Sequence, residues 1–300
     1  MTTLLLVSSS SLHAVAPHKL LLQPLELRQK QLNQPKNLVI IDTRTSEAYT
    51  KGHIPTAISL PIDQLQQTIK HIKKRVISPL QFQQRIEALG LKKSDHLVFY
   101  SGHTPLKATQ ALWTFELYGH PINSILDGGF QAWKWQALPI ETTPNKRPAS
   151  HYTIDLNPKR FASKFYTLVA THSDNTLIID ARSRAEFNGL TSKGKRSGHI
   201  PTAVNLDFST LFKPLKTQDP HTNISTFIDT EQFTQLLTKL PDKQNIILYC
   251  NAGSEASALY FSFRLMDKNV AVYDGSWEEW SADPTLPVAL HHSKTNNHQI

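Results

Sequence analysis

Four short apolar runs punctuate the chain: Leu38 to Ile41, Leu97 to Tyr100, Leu177 to Ile179 and Ile246 to Tyr249. Each is β-branched or aromatic-rich and bounded by polar or turn-forming residues, the pattern of strands buried on both faces. Between them, Leu80 to Leu89, Leu106 to Leu117, Thr230 to Leu240 and Ser254 to Met266 read as helices, the third opening on a capping sequence, Thr230-Glu231-Gln232-Phe233. Strands alternating with helices predict an α/β fold, a mostly parallel sheet flanked by helices on both faces. No apolar run approaches the ~18 to 20 residues of a membrane span, so a soluble protein is expected.

The pattern occurs twice. Ile40-Ile41-Asp42-Thr43-Arg44, Glu47 and Gly52-His53-Ile54-Pro55-Thr56-Ala57 return as Ile178-Ile179-Asp180-Ala181-Arg182, Glu186 and Gly198-His199-Ile200-Pro201-Thr202-Ala203. Leu97 to Ser101 matches Ile246 to Cys250, and Asp127-Gly128-Gly129 through Trp133 matches Asp274-Gly275-Ser276 through Trp280. All four blocks keep their order at a spacing of about 140 to 150 residues, which chance does not produce. The second copy carries an insertion, Gly189 to Arg196, between its Asp-x-Arg and Gly-His-Ile-Pro blocks. Two tandem domains follow, 21–140 and 153–290. Residues 1–20 are an N-terminal extension, 141–152 a proline-containing linker and 291–300 a polar tail.

The length of 300 residues suits two domains, and 39% hydrophobic with 19% charged residues excludes wholesale disorder. The formal net charge of +8 admits anionic partners, but Lys and Arg are scattered, which argues for small anions rather than nucleic acid or a membrane. At the amino terminus, the four-residue run Leu4 to Val7 is shorter than a secretory signal's core, and no Lys or Arg precedes Lys19. A cytoplasmic protein is therefore expected. The single cysteine, Cys250, excludes an intramolecular disulfide and fits a reducing compartment.

Cys250 directly follows a strand and precedes Asn251-Ala252-Gly253-Ser254-Glu255 and a helix. In a parallel α/β sheet, ligands bind where strand carboxyl ends meet helix amino termini. A loop containing glycine can there turn successive N–H groups inward, forming an anion cradle that lowers a thiol's pKa. This places Cys250 as a nucleophile rather than a buried filler.

Asp-x-Arg, Gly-His-Ile-Pro-x-Ala, strand-Cys-x-x-Gly and Asp-Gly-Gly/Ser-x-x-x-Trp, each present twice or in matched positions, resemble tandem rhodanese-domain sulfurtransferases over residues 20 to 288. The resemblance implies an inactive first domain, with Ser101 where Cys250 stands, and a catalytic second domain. It implies sulfur transfer from a small anionic donor, thiosulfate or 3-mercaptopyruvate, through a Cys250 persulfide cradled by residues Asn251, Ala252, Gly253, Ser254 and Glu255. The acceptor would be cyanide or a thiol, a thioredoxin-like reductant included. No cofactor and no metal is implied. Asp42 with Arg44, Asp180 with Arg182, His53, His199, Trp133 and Trp280 recur in both copies and so read as structural.

Two positions depart from the family pattern. Glu186 stands where an arginine would bind the donor anion, leaving Arg184 and the insertion's Lys193, Lys195 and Arg196 as substitutes; Arg196 is expected at the mouth of an interdomain cleft. Glu255 either faces the sulfur, raising its pKa and repelling anionic donors, or lies outward on a helix amino terminus. The phosphatase branch of the fold needs an arginine where Ala256 stands. A non-catalytic persulfide carrier is the remaining alternative.

Overall fold

The structure is a computed structural model that describes residues 19–33, 36–215 and 223–290; the expectations for residues 1–18 and for the tail 291–300 lie outside the described residues. The first half contains strands β1 (Leu21–Leu22), β2 (Leu38–Asp42), β3 (Ile58–Ser59), β4 (Gln66–Ile69), β5 (Ile72–Val76), β6 (His96–Tyr100) and β7 (Asn123–Leu126). Its helices are α1 (Pro24–Leu32), α2 (Ser46–Thr50), α3 (Pro79–Ala88), α4 (Leu106–Leu117) and α5 (Gly129–Trp135). The second half contains β8 (Phe161–Ala162), β9 (Thr176–Asp180), β10 (Val204–Asn205), β11 (Phe212–Pro214), β12 (Ser225–Phe227), β13 (Asn245–Tyr249) and β14 (Val270–Tyr273). Its helices are α6 (Lys164–Ala170), α7 (Arg184–Phe187), α8 (Thr230–Leu237), α9 (Ser254–Leu265) and α10 (Ser276–Ala282).

Each half builds a five-stranded sheet, ordered β1-β7-β6-β2-β3 and β8-β14-β13-β9-β10, and every pairing in both is parallel. Side chains along a strand alternate between faces, so a run apolar at every position serves two cores. Val39, Ile41, Leu97 and Phe99 face one core while Ile40, Val98 and Tyr100 face another. In the second half Ile246, Leu248 and Cys250 continue the first core, and Ile247 and Tyr249 belong to a third. That first core is common to both domains. Helices α4 and α9 meet there face to face, and residues 108–117 and 256–263 are buried throughout.

The two copies also exchange hairpins. The β4–β5 hairpin of the first domain reaches the Asp274 turn of the second, and the β11–β12 hairpin reaches the Asp127 turn of the first. Among the described residues, no helix is long and apolar enough to cross a membrane.

Candidate active site

Strand β13 delivers Cys250 to the carboxyl edge of the second sheet, and Gly253 turns the chain into α9 with φ +85°, a left-handed conformation favourable to glycine. The turn aims the Gly253 N–H at Cys250 Sγ, 3.0 Å away, and the amides of Ala252 and Ala256 also hydrogen-bond the sulfur. These donors lie at the positive end of the α9 dipole. Cys250 is fully buried.

A second turn holds the backbone of Cys250. Ser276 Oγ accepts the Cys250 N–H at 3.3 Å and donates to Tyr273 O at 2.9 Å. The N–H groups of Trp277 and Glu278 donate to the carbonyls of Cys250 and Asn251 at 2.9 and 3.1 Å. The equivalent turn of the first copy holds Ser101 alike, Phe130 N–H donating to Ser101 O at 2.9 Å. There, however, the hydroxyl donates to the Thr104 carbonyl, and α4 begins after Pro105, which has no N–H. A carbonyl replaces the cradle amides.

The cradle does not lower the thiol pKa as expected. Burial pushes the Cys250 thiol well above its ordinary value, and the hydrogen-bonded Glu255 carboxylate pushes it further, outweighing the Ala256 and Ala252 amides. Of the two orientations open to Glu255, the structure shows the inward one. The Asn251 side chain binds a carboxylate, its Nδ2 donating to Glu186 Oε1 at 2.9 Å. Burial acts to raise the Glu186 carboxyl, but hydrogen bonds from Asn251 and Ser183 outweigh it and hold the group below the usual range. Glu186 therefore borders the Cys250 loop, at the place where a donor-binding arginine was anticipated.

The substitute cations divide. Arg196 is engaged by the backbone of its own domain: its guanidinium donates to the carbonyls of Trp280, Ser281, Asp283 and Leu286 at 2.7 to 3.0 Å, closing the carboxyl end of α10. The last carbonyls of a helix lack partners of their own and attract a cation, and this use commits the guanidinium to the backbone rather than to a substrate. The rest of the insertion is stitched to the same helix, Lys195 N–H to Ser281 Oγ and Trp277 Nε1 to Arg196 O. Arg184 opens α7 and is exposed, and the exposed Lys193 ammonium lies 4.0 Å from Glu186. Ser254, first residue of α9, presents its carbonyl to Ser257 Oγ.

The repeated motifs form one scaffold twice. Arg182 pairs with Asp180 at 2.6 Å with both side chains fully buried, and Tyr249 OH donates to the same carboxylate; Arg44, Asp42 and Tyr100 repeat this. His53 and His199 stack on Tyr49 and Phe187, each with ring centroids 3.8 Å apart. Trp133 and Trp280 are buried, their indole N–H groups on the carbonyls of Pro139 and Pro287. Sequence reading missed Ser276 as a partner of Cys250, and it missed the contributions of the first domain. Thr109 Oγ1 lies 3.0 Å from Ser257 Oγ, Gln110 faces Gly253 across the interface, and Arg75 binds Asp274. The doubled Asp-Gly-Gly/Ser block was the available signal for Ser276.

Comparison with known proteins agrees with this architecture. The family model described as rhodanese-like domain matches residues 24–136 and again 164–283. The 3-mercaptopyruvate sulfurtransferase of Escherichia coli K12 is 30% identical over 253 residues, covering 82% of this chain and 86% of that protein. A putative thiosulfate sulfurtransferase of Mycolicibacterium smegmatis is 28% identical over 277 residues, covering 87% and 95%. Among solved structures, YnjE superposes with a TM-score of 0.78 at 25% identity over 91% of this chain and 68% of that one. The anaerobic ergothioneine biosynthesis enzyme from Chlorobium limicola shares the fold, with a TM-score of 0.76 at 20% identity over 91% and 70%. The chain belongs to the rhodanese family, as a tandem-domain member of the sulfurtransferase branch that these relatives represent.

Proposed function

We propose that the chain is a sulfurtransferase in which Cys250 takes the outer sulfur of a small anionic donor and passes it to cyanide or a thiol, a thioredoxin-like reductant included. The observation that carries this reading is the convergence of the Ala252, Gly253 and Ala256 amides on the only thiol. Such an array stabilises negative charge on a persulfide as an oxyanion hole stabilises an alkoxide. Cys250 must give up its proton to attack, and the Glu255 carboxylate is positioned to receive it. With 3-mercaptopyruvate, the thiolate attacks the donor sulfur, a Cys250 S–S bond forms, the donor C–S bond breaks and the electron pair leaves on pyruvate as its enolate, which is then protonated. With thiosulfate the leaving group is sulfite. An incoming thiolate or cyanide then attacks the outer sulfur, and Cys250 departs as the thiolate.

Glu186 and Glu255 both border the loop, so a monoanion meets less repulsion than a dianion. Of the two donors, 3-mercaptopyruvate therefore fits better than thiosulfate. Pyruvate release from mercaptopyruvate, measured beside thiocyanate formation from thiosulfate and cyanide, tests this. Larger kcat/KM with mercaptopyruvate supports it, and the reverse order contradicts it. Sulfur loading without turnover with either acceptor would make the protein a persulfide carrier.

A further inference from the structure

We propose that Arg75, on the β4–β5 hairpin of the first domain, is a positioning residue for the Cys250 loop of the second, so that the copy lacking a thiol supplies part of the working site. The inference rests on the sulfurtransferase reading of Cys250 and adds a residue from the other domain.

The exchanged hairpins make like contacts with one difference. Val76 N–H donates to both Asp274 oxygens at 3.2 Å, and Phe227 N–H donates to Asp127 Oδ1 at 3.0 Å. The preceding residues differ. Arg75 Nε lies 2.6 Å from Asp274 Oδ2 and its Nη1 lies 3.1 Å from Glu279 Oε1. Thr226, its counterpart, donates to Lys213 O within its own hairpin, and the second oxygen of Asp127 receives Gln23 Nε2 at 3.1 Å. Of these two hairpin contacts, among the described residues, only the one that reaches the thiol-bearing domain sets a cation on the turn carboxylate.

The crossing ends on the turn that holds Cys250. Asp274 is 3% exposed, so its carboxylate needs a charge partner. Two residues on, Ser276 sits at φ +51°, where its first-copy counterpart is Gly129 at φ +56°. A side chain in that conformation is strained and persists only where the surroundings hold it. Ser276 Oγ binds the Cys250 N–H, and the next two amides bind the carbonyls of Cys250 and Asn251. Arg75 and Val76 clamp the start of this turn from the first domain.

The test compares Arg75→Gln with Arg264→Gln, which removes another interdomain ion pair, to Glu116, at the far end of α9. Circular dichroism and thermal unfolding establish that each variant is folded, and kcat and KM are measured with mercaptopyruvate. Arg75→Gln is expected to lower kcat by about tenfold or more with donor KM within about threefold, while Arg264→Gln stays within about twofold of the parent kcat at comparable loss of thermal stability. Arg75→Lys keeps the charge but cannot span both carboxylates, and its kcat should fall by only about threefold. It serves as the test should the Gln variant not fold. A kcat of Arg75→Gln within about twofold of the parent, or an equal loss in Arg264→Gln, overturns the proposal. Iodoacetamide, reading the only cysteine, separates the two hypotheses: if the parent takes up no sulfur, the sulfurtransferase reading fails, and alkylation decides the role of Arg75. Faster alkylation in Arg75→Gln than in Arg264→Gln supports it, and equal rates overturn it.

Discussion

The carboxylate of Glu255, in the first turn of the following helix, acts on the Cys250 thiol by its charge and by hydrogen bonding, placing an acid group where the loop amides would otherwise act alone. With burial as the larger cause, this pair keeps the resting thiol protonated at neutral pH. Replacing Glu255 with Thr removes the nearby charge and leaves the amides, so the Cys250 pKa should fall. The pH profile of iodoacetamide alkylation should shift to lower pH, and sulfur transfer from dianionic thiosulfate should gain more than transfer from monoanionic mercaptopyruvate. Superimposable alkylation profiles for parent and variant would remove Glu255 from the chemistry.

Arg196 and Arg184 separate a structural from a substrate role. Arg196→Ala strips four carbonyls at the end of α10 of their donor and should destabilise the protein by roughly 1 to 3 kcal/mol, with donor KM unchanged at temperatures where it stays folded. Arg184→Ala, on an exposed side chain, should leave stability within about 0.5 kcal/mol. Denaturant unfolding with donor kinetics on both variants checks the pair. A raised KM in Arg196→Ala at unchanged stability would return that residue to the substrate.

Much of this was legible in the chain. The four core strands extend one or two residues beyond the apolar runs, and Leu106 to Leu117 is a helix with those bounds. Parallel strands buried on both faces carry their signal in consecutive residues, and the repeat supplied the rest. The helix read as Thr230 to Leu240 ends at Leu237, where Pro241 follows closely. Strands β1, β3, β8 and β10 are two residues each, too short for periodicity to register. At the site, the position of Cys250 and its amides followed from local order. The sign of its pKa shift did not, because that depends on how deeply α4 and α9 bury the loop. Nor did the roles of Arg75 and Arg196, whose partners lie about 200 and 85 residues away in sequence.

His120 gives a pH test of stability. Burial lowers its pKa to about 4, and the ring is tied by Nε2–H donating to Asp95 O and Nδ1 accepting from Tyr152 OH. The folded state therefore favours the neutral ring, while the unfolded chain gains a proton near pH 6.5. The stability contribution is complete above pH ~6.5 and is lost as pH falls toward ~4, by roughly 3 kcal/mol at most. Unfolding free energies for the parent and His120→Gln across this window should converge as pH falls. Parallel curves would contradict the assignment.

Ser101→Cys should not create a second working site. The new thiol would face the Thr104 carbonyl and the helix start at Pro105 rather than amides, so negative charge on sulfur would be repelled. In a Cys250→Ser background this variant should carry no sulfur after donor treatment. Sulfur uptake by the introduced thiol would show that the cradle is dispensable.

The central claim is that sulfur is held on Cys250 itself, and intact-mass spectrometry after incubation with mercaptopyruvate or thiosulfate measures it directly. One added sulfur atom, about 32 Da, located to the Cys250 peptide, removed by cyanide and absent from Cys250→Ser, is the predicted result. A parent protein that gains no mass from either donor, or a Cys250→Ser variant that gains the same mass, would contradict it.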